Sequence, residues 1–315
     1  MKKHLSPAML PNGALLISCS SHEERCEGLA RRKGIWQPGS VVLFHYDDEN
    51  RKREERHEFL TKAFSTGSRR PVDLPFVERN AAASFHANMQ VLDAAIRDTG
   101  SGSIVLDISV LTKRHLLMIL HWLDDRDLWD RLWIVYCEPG DYVVTEYVPL
   151  SFGIANIDQI PGFSASPDMS RALRLAIFLG YEGDRALATY ESIQPMETRL
   201  VIPDPPYRPE WNGRTEALNR DLIKLVGEGS IVRVDAVDPE SSLAGLRECF
   251  GPEALRTVYS KVVCPLGTKP QAVGIYMYVR ACTDPPALVY ASPLRHNHAF
   301  YSRGIGESWI LKEPL

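Results

Sequence analysis

The sequence predicts an α/β protein built from two similar, doubly wound parallel-sheet halves. Short Val/Ile/Leu-rich runs alternate with longer stretches of helical periodicity, the two halves align element by element, and the polar residues they share fall in strand-to-helix loops. Continuous apolar runs of about four to eight residues are the mark of strands buried on both faces, and alternation with helices implies parallel strands joined by right-handed crossovers.

The first strand is read over Ala14–Ser18, followed by a turn from Cys19 to Arg25 that enters a helix through Leu29, Ala30 and Arg31. Its counterpart is Leu175–Leu179 followed by Gly180–Arg185, so that Ile17 falls on Ile177, Glu24 on Asp184 and Arg25 on Arg185. Second strands follow at Val41–His45 and Leu200–Ile202, with helices over Glu49–Phe64 and Arg214–Val226. Third strands are expected at Val72–Val77 and Ile231–Val234, then helices over Ala87–Ile96 and Ser242–Phe250. Fourth strands at Ile104–Ile108 and Lys261–Cys264 lead into helices over Leu116–Leu123 and Ala272–Val279, and the alignment places Thr112 on Thr268 and Lys113 on Lys269. The fifth strands, from Leu132 and from Ala287, align Tyr136 with Tyr290 and Pro139 with Pro293, and beyond them Tyr147 falls on Tyr301. The register shifts only at loops, as a duplication with insertions and deletions predicts.

Each half is therefore expected to be a Rossmann-like unit, over residues 1–155 and 170–315, with 156–169 as the connecting segment. There Pro161, Gly162, Pro167 and several serines break the periodicity. Duplicated halves are expected to pack as a pseudo-dimer about a pseudo-two-fold axis, which would let the two Thr-Lys loops converge on one shared anionic ligand.

With 315 residues, 44% hydrophobic and 24% charged, the chain can bury a sizeable core. A formal net charge of −4 supplies no broad positive field for double-stranded nucleic acid, so an anionic partner must meet a local basic site. The mixed-sign run Asn50–His57 fits a solvated helix face better than a nucleic-acid stripe. The six cysteines form no C-x-x-C pair, and several lie in apolar runs, which suits a reducing, cytoplasmic setting. The basic start at Met1–His4 is followed by an apolar run broken at Pro7, Pro11 and Gly13, so neither a signal peptide nor a membrane span is expected.

Ligands of open parallel sheets sit at the carboxyl ends of the strands, where loops expose backbone N–H groups and helix N-termini. The leading candidates are Ser109, Thr112 and Lys113 in one loop and Gly267, Thr268 and Lys269 in the other. A Thr hydroxyl and a Lys ammonium there suit phosphate oxygens, and Gly267 permits close backbone approach. The competing reading makes Thr112 and Thr268 helix N-caps and the lysines solvated.

Val263–Pro270, reading Val-Cys-Pro-Leu-Gly-Thr-Lys-Pro, resembles the Gly-Thr-Lys motif after the fourth strand of CRISPR-associated Rossmann-fold (CARF) domains, and fused pairs of such domains resemble the SAVED sensors of bacterial anti-phage systems. The resemblance implies a small phosphorylated or nucleotide ligand of the cyclic oligonucleotide or dinucleotide class, bound across paired sheets. It also implies output by assembly or through an effector protein partner. Thr268 and Lys269 carry it over, and more weakly Thr112 and Lys113, since Ser109–Lys113 lacks the glycine.

At the first strand-helix junctions, Ser20, Ser21, Glu23, Glu24 and Arg25, with Tyr181, Glu182, Asp184 and Arg185 opposite, could contact a ribose or base. The acids there are equally a first-turn cluster favoured by the helix dipole. Glu23, Glu24 and Asp107 are the candidate catalytic acids if water were activated, which would make the chain a hydrolase of a nucleotide or related phosphate compound; Asp235 and Asp238 are lesser candidates. Asn297 and Tyr301 belong to a polar carboxy-terminal loop. His296 and His298 there lack a third ligand at recognisable spacing, so no metal and no cofactor is expected. There is no Walker A loop, dinucleotide fingerprint, nucleophile elbow or H-E-x-x-H helix. A nucleotide-responsive binding protein is the leading expectation, with a hydrolase and a partner-binding scaffold as alternatives.

Overall fold

A computed structural model of the chain describes residues 3–6, 9–32, 36–46, 50–65, 69–76, 81–142, 150–163, 170–252, 258–297 and 302–314. In chain order the elements are β1 (Lys3–His4), β2 (Leu15–Ser20), β3 (Ser40–Tyr46), α1 (Arg51–Phe64), β4 (Val72–Phe76), α2 (Ala81–Thr99), β5 (Ile104–Asp107), α3 (Lys113–Asp124), β6 (Leu132–Cys137), β7 (Asp141–Tyr142) and β8 (Ser151–Gln159). There follow β9 (Ala172–Phe178), α4 (Gly183–Ile193), β10 (Glu197–Pro203), α5 (Arg214–Leu218), α6 (Arg220–Val226), β11 (Ile231–Val234), α7 (Pro239–Phe250), β12 (Tyr259–Pro265), α8 (Lys269–Ala281), β13 (Ala287–His296), β14 (Ser302–Arg303) and β15 (Ser308–Lys312).

The fold is mixed α/β with parallel-rich, Rossmann-like sheets. The first has the order β1-β15-β6-β5-β2-β3-β4 and the second β11-β10-β9-β12-β13-β8. Within each, five strands run parallel. The central strands are the most apolar: Leu15, Leu16 and Ile17 of β2 and Leu175, Ala176, Ile177 and Phe178 of β9 are wholly buried. At the rim of the first sheet β4 carries Pro75, which costs no ladder bond at an edge.

The chain divides into two compact units, one of residues 2–115, 123–146 and 298–315, the other of residues 116–122 and 147–297 together with Met1. This departs from the division expected at 1–155, 156–169 and 170–315. Ser151–Gln159, read in part as connecting segment, is an antiparallel strand on β13, and Ser308–Lys312, expected with the second half, is an antiparallel strand on β6. In each case the outer row of N–H and C=O groups on the fifth parallel strand would otherwise be exposed, and a strand from the far part of the chain pairs with it. β8 escaped notice because an edge strand reading Ser-Phe-Gly-Ile-Ala-Asn-Ile-Asp-Gln has one mostly exposed pattern and a left-handed Gly153.

Two expected helices also differ. Past β2 the chain forms only 3-10 turns at Glu24–Glu27 and Ala30–Arg32, while the second half has the regular helix α4. Gly28 lies where any Cβ would stand 2.6 Å from Cys137 Sγ, so the segment is pressed flat against β6. The helix expected over Arg214–Val226 breaks at Asn219 into α5 and α6, and the Asn219 amide donates to the Gly180 carbonyl at 3.3 Å. The start expected at Glu49 lies outside the described residues; α1 opens at Arg51, with the Asn50 side chain accepting from the Arg53 amide at 3.2 Å.

β15 is a structural strand in the first sheet, and Ile310, 1% exposed, is its anchor. Ile310→Ala should lower the unfolding free energy by about 2–4 kcal/mol in urea melts, whereas Leu294→Ala, at a residue 71% exposed, should change it by no more than about 0.5 kcal/mol. Equal effects would contradict the burial of the carboxy-terminal strand.

Candidate functional site

In the strand order shared by both sheets, the chain reverses direction of travel between β2 and β5 and between β9 and β12, and the crevice at the carboxyl ends of those strands is the favoured ligand position. In the first sheet this point is filled from within. Asp107 ends β5 and is 2% exposed. It accepts from the Ser18 hydroxyl at 3.3 Å, the Ser109 amide at 3.0 Å and the Ser109 hydroxyl, while Ser109 Oγ accepts from the Cys137 amide at 2.8 Å. Burial pushes the Asp107 carboxyl up, opposed by the serine hydrogen bonds and by Arg25. A carboxyl saturated by its own loop orders β5 against β2 and has no open face for activating water.

Arg25 is 2% exposed. Its Nη2 donates to Glu23 at 2.9 Å and its Nη1 to the Tyr136 hydroxyl at 3.1 Å. Burial opposes the charge, but the Glu23 carboxylate, with Tyr136 and Tyr142, more than offsets it, so the guanidinium is held firmly protonated. Glu23 also accepts from the Ser302 hydroxyl at 2.6 Å, and Glu24 from the Gly304 amide at 3.0 Å with Arg56 at 3.6 Å. Two of the three candidate catalytic acids, Glu23 and Glu24, thus tie down β14 and its turn.

The second unit repeats this arrangement. Arg185 Nη1 donates to Glu182 at 3.2 Å and Nε to the Ala291 carbonyl at 2.9 Å; its guanidinium lies 5.2 Å from the Tyr290 ring centre, against 5.8 Å for Arg25 and Tyr136. Glu182 accepts from the Ser151 hydroxyl at 2.8 Å. Burial again opposes the charge, and Tyr290 and Glu182 override it. The structure therefore brings together the two pairs the alignment set in register, Arg25 with Tyr136 and Arg185 with Tyr290. Both arginines, expected as ligand contacts, are buried at the strand-helix junctions, Arg25 2% and Arg185 7% exposed. Ser20 is likewise inward, donating to the Phe44 carbonyl at 3.4 Å and bonded to His57 Nδ1 at 3.0 Å.

Thr112 and Thr268 both fill the N-cap role. Thr112 Oγ1 accepts from the His115 amide at 3.3 Å and is bonded to His115 Nδ1 at 2.8 Å, while the Thr112 amide donates to the Tyr46 hydroxyl at 2.7 Å. Thr268 forms a capping box with Gln271: its amide donates to Gln271 Oε1 at 2.9 Å and its Oγ1 accepts from the Gln271 amide at 3.2 Å. The Thr268 hydroxyl donates to the Ala236 carbonyl. Lys113 and Lys269 open α3 and α8 and are half-buried. Gly267 has a packing reason, since a Cβ there would stand 2.1 Å from Gln271 Oε1. Asn297, half-buried at the end of β13, donates its amide to the Leu150 carbonyl at 2.8 Å; Tyr301, Tyr147 and His298 lie outside the described residues.

Around Gly267–Lys269 the loops of the second sheet interlock. A Cβ on Gly180 would meet the Leu266 carbonyl at 2.4 Å, the Ala236 amide donates to the Pro205 carbonyl at 3.1 Å, and Gln271 Nε2 donates to the Asp235 carbonyl at 3.4 Å. On the loops after β9 and β10 at this same end stands a half-buried aromatic group, of which the sequence singled out Tyr181 and not Tyr207 or Trp211. Tyr181 and Trp211 lie 6.5 Å apart, Tyr207 and Trp211 6.1 Å, and the Arg214 guanidinium 4.5 Å from the Tyr181 ring and 5.9 Å from the Trp211 ring. The signal was present in Tyr207-Arg-Pro-Glu-Trp211, aromatic and basic residues interleaved in a loop, but Pro-rich turns carry no periodicity to draw the eye.

No family model and no curated protein matches the chain. No helix among the described residues is long and apolar enough to cross a membrane. Burial pushes the thiols of Cys26 and Cys249 to about 12 and that of Cys137 to about 11, which makes them apolar fillers and not nucleophiles.

Removing one member of a buried ion pair strands the other, so Arg25→Ala should cost about 3–5 kcal/mol of stability in denaturant melts in the absence of any ligand. A fully stable variant with lost ligand binding would return Arg25 to the ligand site. His115, 1% exposed and stacked on Phe76 at 4.0 Å, has its imidazole pulled down to about 3 by burial, with Arg114 adding to the effect. A depressed folded-state value means the neutral ring stabilises the fold at pH above its unfolded value of about 6.5. That contribution is lost as pH falls from there towards 3. His115→Phe should flatten the fall of melting temperature between pH 7 and 4; an unchanged slope would show that His115 is charged in the fold.

Proposed function

We propose that the chain is a nucleotide-responsive binding protein whose ligand site lies at the carboxyl end of the second sheet. One observation carries this reading. The Gly267-Thr268-Lys269 cap of α8 and the Tyr181, Tyr207, Trp211 and Arg214 cluster stand on interlocked loops from the ends of β9, β10 and β12. A thirteen-residue helix offers the positive end of its dipole and a lysine to phosphate oxygens. Aromatic faces beside an arginine offer stacking to bases, about 1–3 kcal/mol each.

The resemblance of Val263–Pro270 to the CARF motif supports cyclic oligonucleotides and dinucleotides as the first compounds to test, and a separate effector protein as the carrier of the output, in the manner of anti-phage sensors. The Thr112-Lys113 loop, with its threonine committed to His115 and no glycine, is the weaker of the two sites. Common origin of the two halves is supported by the equivalent Arg–Tyr pairs and by the reciprocal placement of β8 and β15. The hydrolase alternative loses support from the engagement of Glu23, Glu24 and Asp107 in structural hydrogen bonds.

Isothermal titration with a panel of mononucleotides and cyclic di-, tri- and tetranucleotides tests the reading. The binding member should lose about 10–100-fold in affinity on Lys269→Ala, the range of a charge-assisted hydrogen bond, and about 5–100-fold on Trp211→Ala. Unchanged affinity in both folded variants would reject this site, and conversion of the bound compound on a chromatogram would reinstate hydrolysis.

A further inference from the structure

The geometry points to a zinc site in the first unit, formed by His45, His57 and Asp73, which no motif in the sequence announces. The three come from one strand-helix-strand crossover: His45 from the end of β3, His57 from the middle of α1 and Asp73 from the start of β4. One potential ligand atom from each lies within 4.8 Å of the other two. Asp73 Oδ1 is 3.4 Å from His57 Nε2 and 3.7 Å from His45 Nε2, and the imidazole centres are 5.1 Å apart.

These separations suit a shared cation better than direct ion pairs. An imidazolium donating straight to a carboxylate closes to about 2.7–2.9 Å. Three donors at about 2.0–2.1 Å from a tetrahedral zinc stand about 3.3–3.4 Å from one another; the His57–Asp73 distance of 3.4 Å falls in that range and the His45–Asp73 distance of 3.7 Å just beyond it. Ser20 adds a second, independent indication. Ser20 Oγ donates to the Phe44 carbonyl at 3.4 Å and is bonded to His57 Nδ1 at 3.0 Å, an arrangement in which Ser20 can accept an Nδ1–H from His57. With the ring proton held on Nδ1 in this way, the Nε2 lone pair faces Asp73, which is the tautomer that ligates metal. Two imidazoles and one carboxylate form the borderline donor set that zinc prefers to magnesium or calcium. Both histidine side chains are 20% exposed and that of Asp73 is 53% exposed, so the ion has an entry path and a fourth position open to water.

The full-length protein, stripped with chelator, is titrated with zinc chloride against a competing chromophoric chelator, and cobalt(II) is used as a spectroscopic substitute. One zinc per chain is expected, with the intense visible absorption of tetrahedral cobalt. Asp73→Ala, at a side chain 53% exposed, and His57→Gln should each abolish saturable binding at micromolar zinc. Ser20→Ala should weaken it by about 10–100-fold. His296→Ala, in the carboxy-terminal His-x-His segment, should leave it unchanged. Absence of saturable zinc binding by the wild-type chain, binding that survives both ligand substitutions, loss on His296→Ala instead, or a weak octahedral cobalt spectrum would each overturn the assignment.

Discussion

A five-stranded parallel sheet ends in a strand whose outer row of N–H and C=O groups must find partners, and the way this is met at β6 and β13 governs the connectivity of the whole chain. Each edge is closed by an antiparallel strand from the far part of the sequence, β15 on β6 and β8 on β13. The chain leaves the first sheet to complete the second and returns at its carboxy terminus to complete the first. This makes residues 298–315 part of the same compact unit as the amino-terminal strands. Neither unit is continuous in sequence, and the first sheet has its full set of strands only once the chain has passed through the second and returned at β15.

The same passages explain the buried charges. Ser302, beside the returning strand, hydrogen-bonds Glu23, and Ser151, at the start of the departing strand, hydrogen-bonds Glu182. Each of those carboxylates holds a buried arginine, which in turn packs on the tyrosine of the fifth parallel strand. An arginine in such a place is tolerable only with its charge matched: Arg25 meets Glu23 and the Tyr136 hydroxyl, though its Nε is buried without a hydrogen-bond partner, and Arg185 meets Glu182 and the Ala291 carbonyl. Polar residues that look functional in the sequence are thereby absorbed into the architecture. The side chains of Lys269 and Trp211, by contrast, are only half-buried.

Much of the fold was legible in the residues themselves. The ten parallel strands were each expected close to where they lie, because apolar β-branched runs buried on both faces have few alternatives. The threonine caps were legible only as the competing reading to phosphate contact, since a hydroxyl before a helix serves either use. The flattened segment after β2 was not, because Gly28 is demanded by Cys137 on a strand far along the chain. The His45, His57 and Asp73 cluster was equally hidden: its members stand in three successive elements, with no spacing rule to connect them.

The amino-acid sequence by itself determined the α/β class, the parallel strands, the helix caps and the end of each sheet at which polar loops gather. These follow from local periodicity and from the pairing of neighbours in the chain. The tertiary structure alone decided which strand closes which sheet, which of the polar candidates are buried and spent, and which distant side chains form a cluster. Those outcomes depend on backbone groups and charges finding partners across long sequence separations, and no local pattern encodes the partner's address.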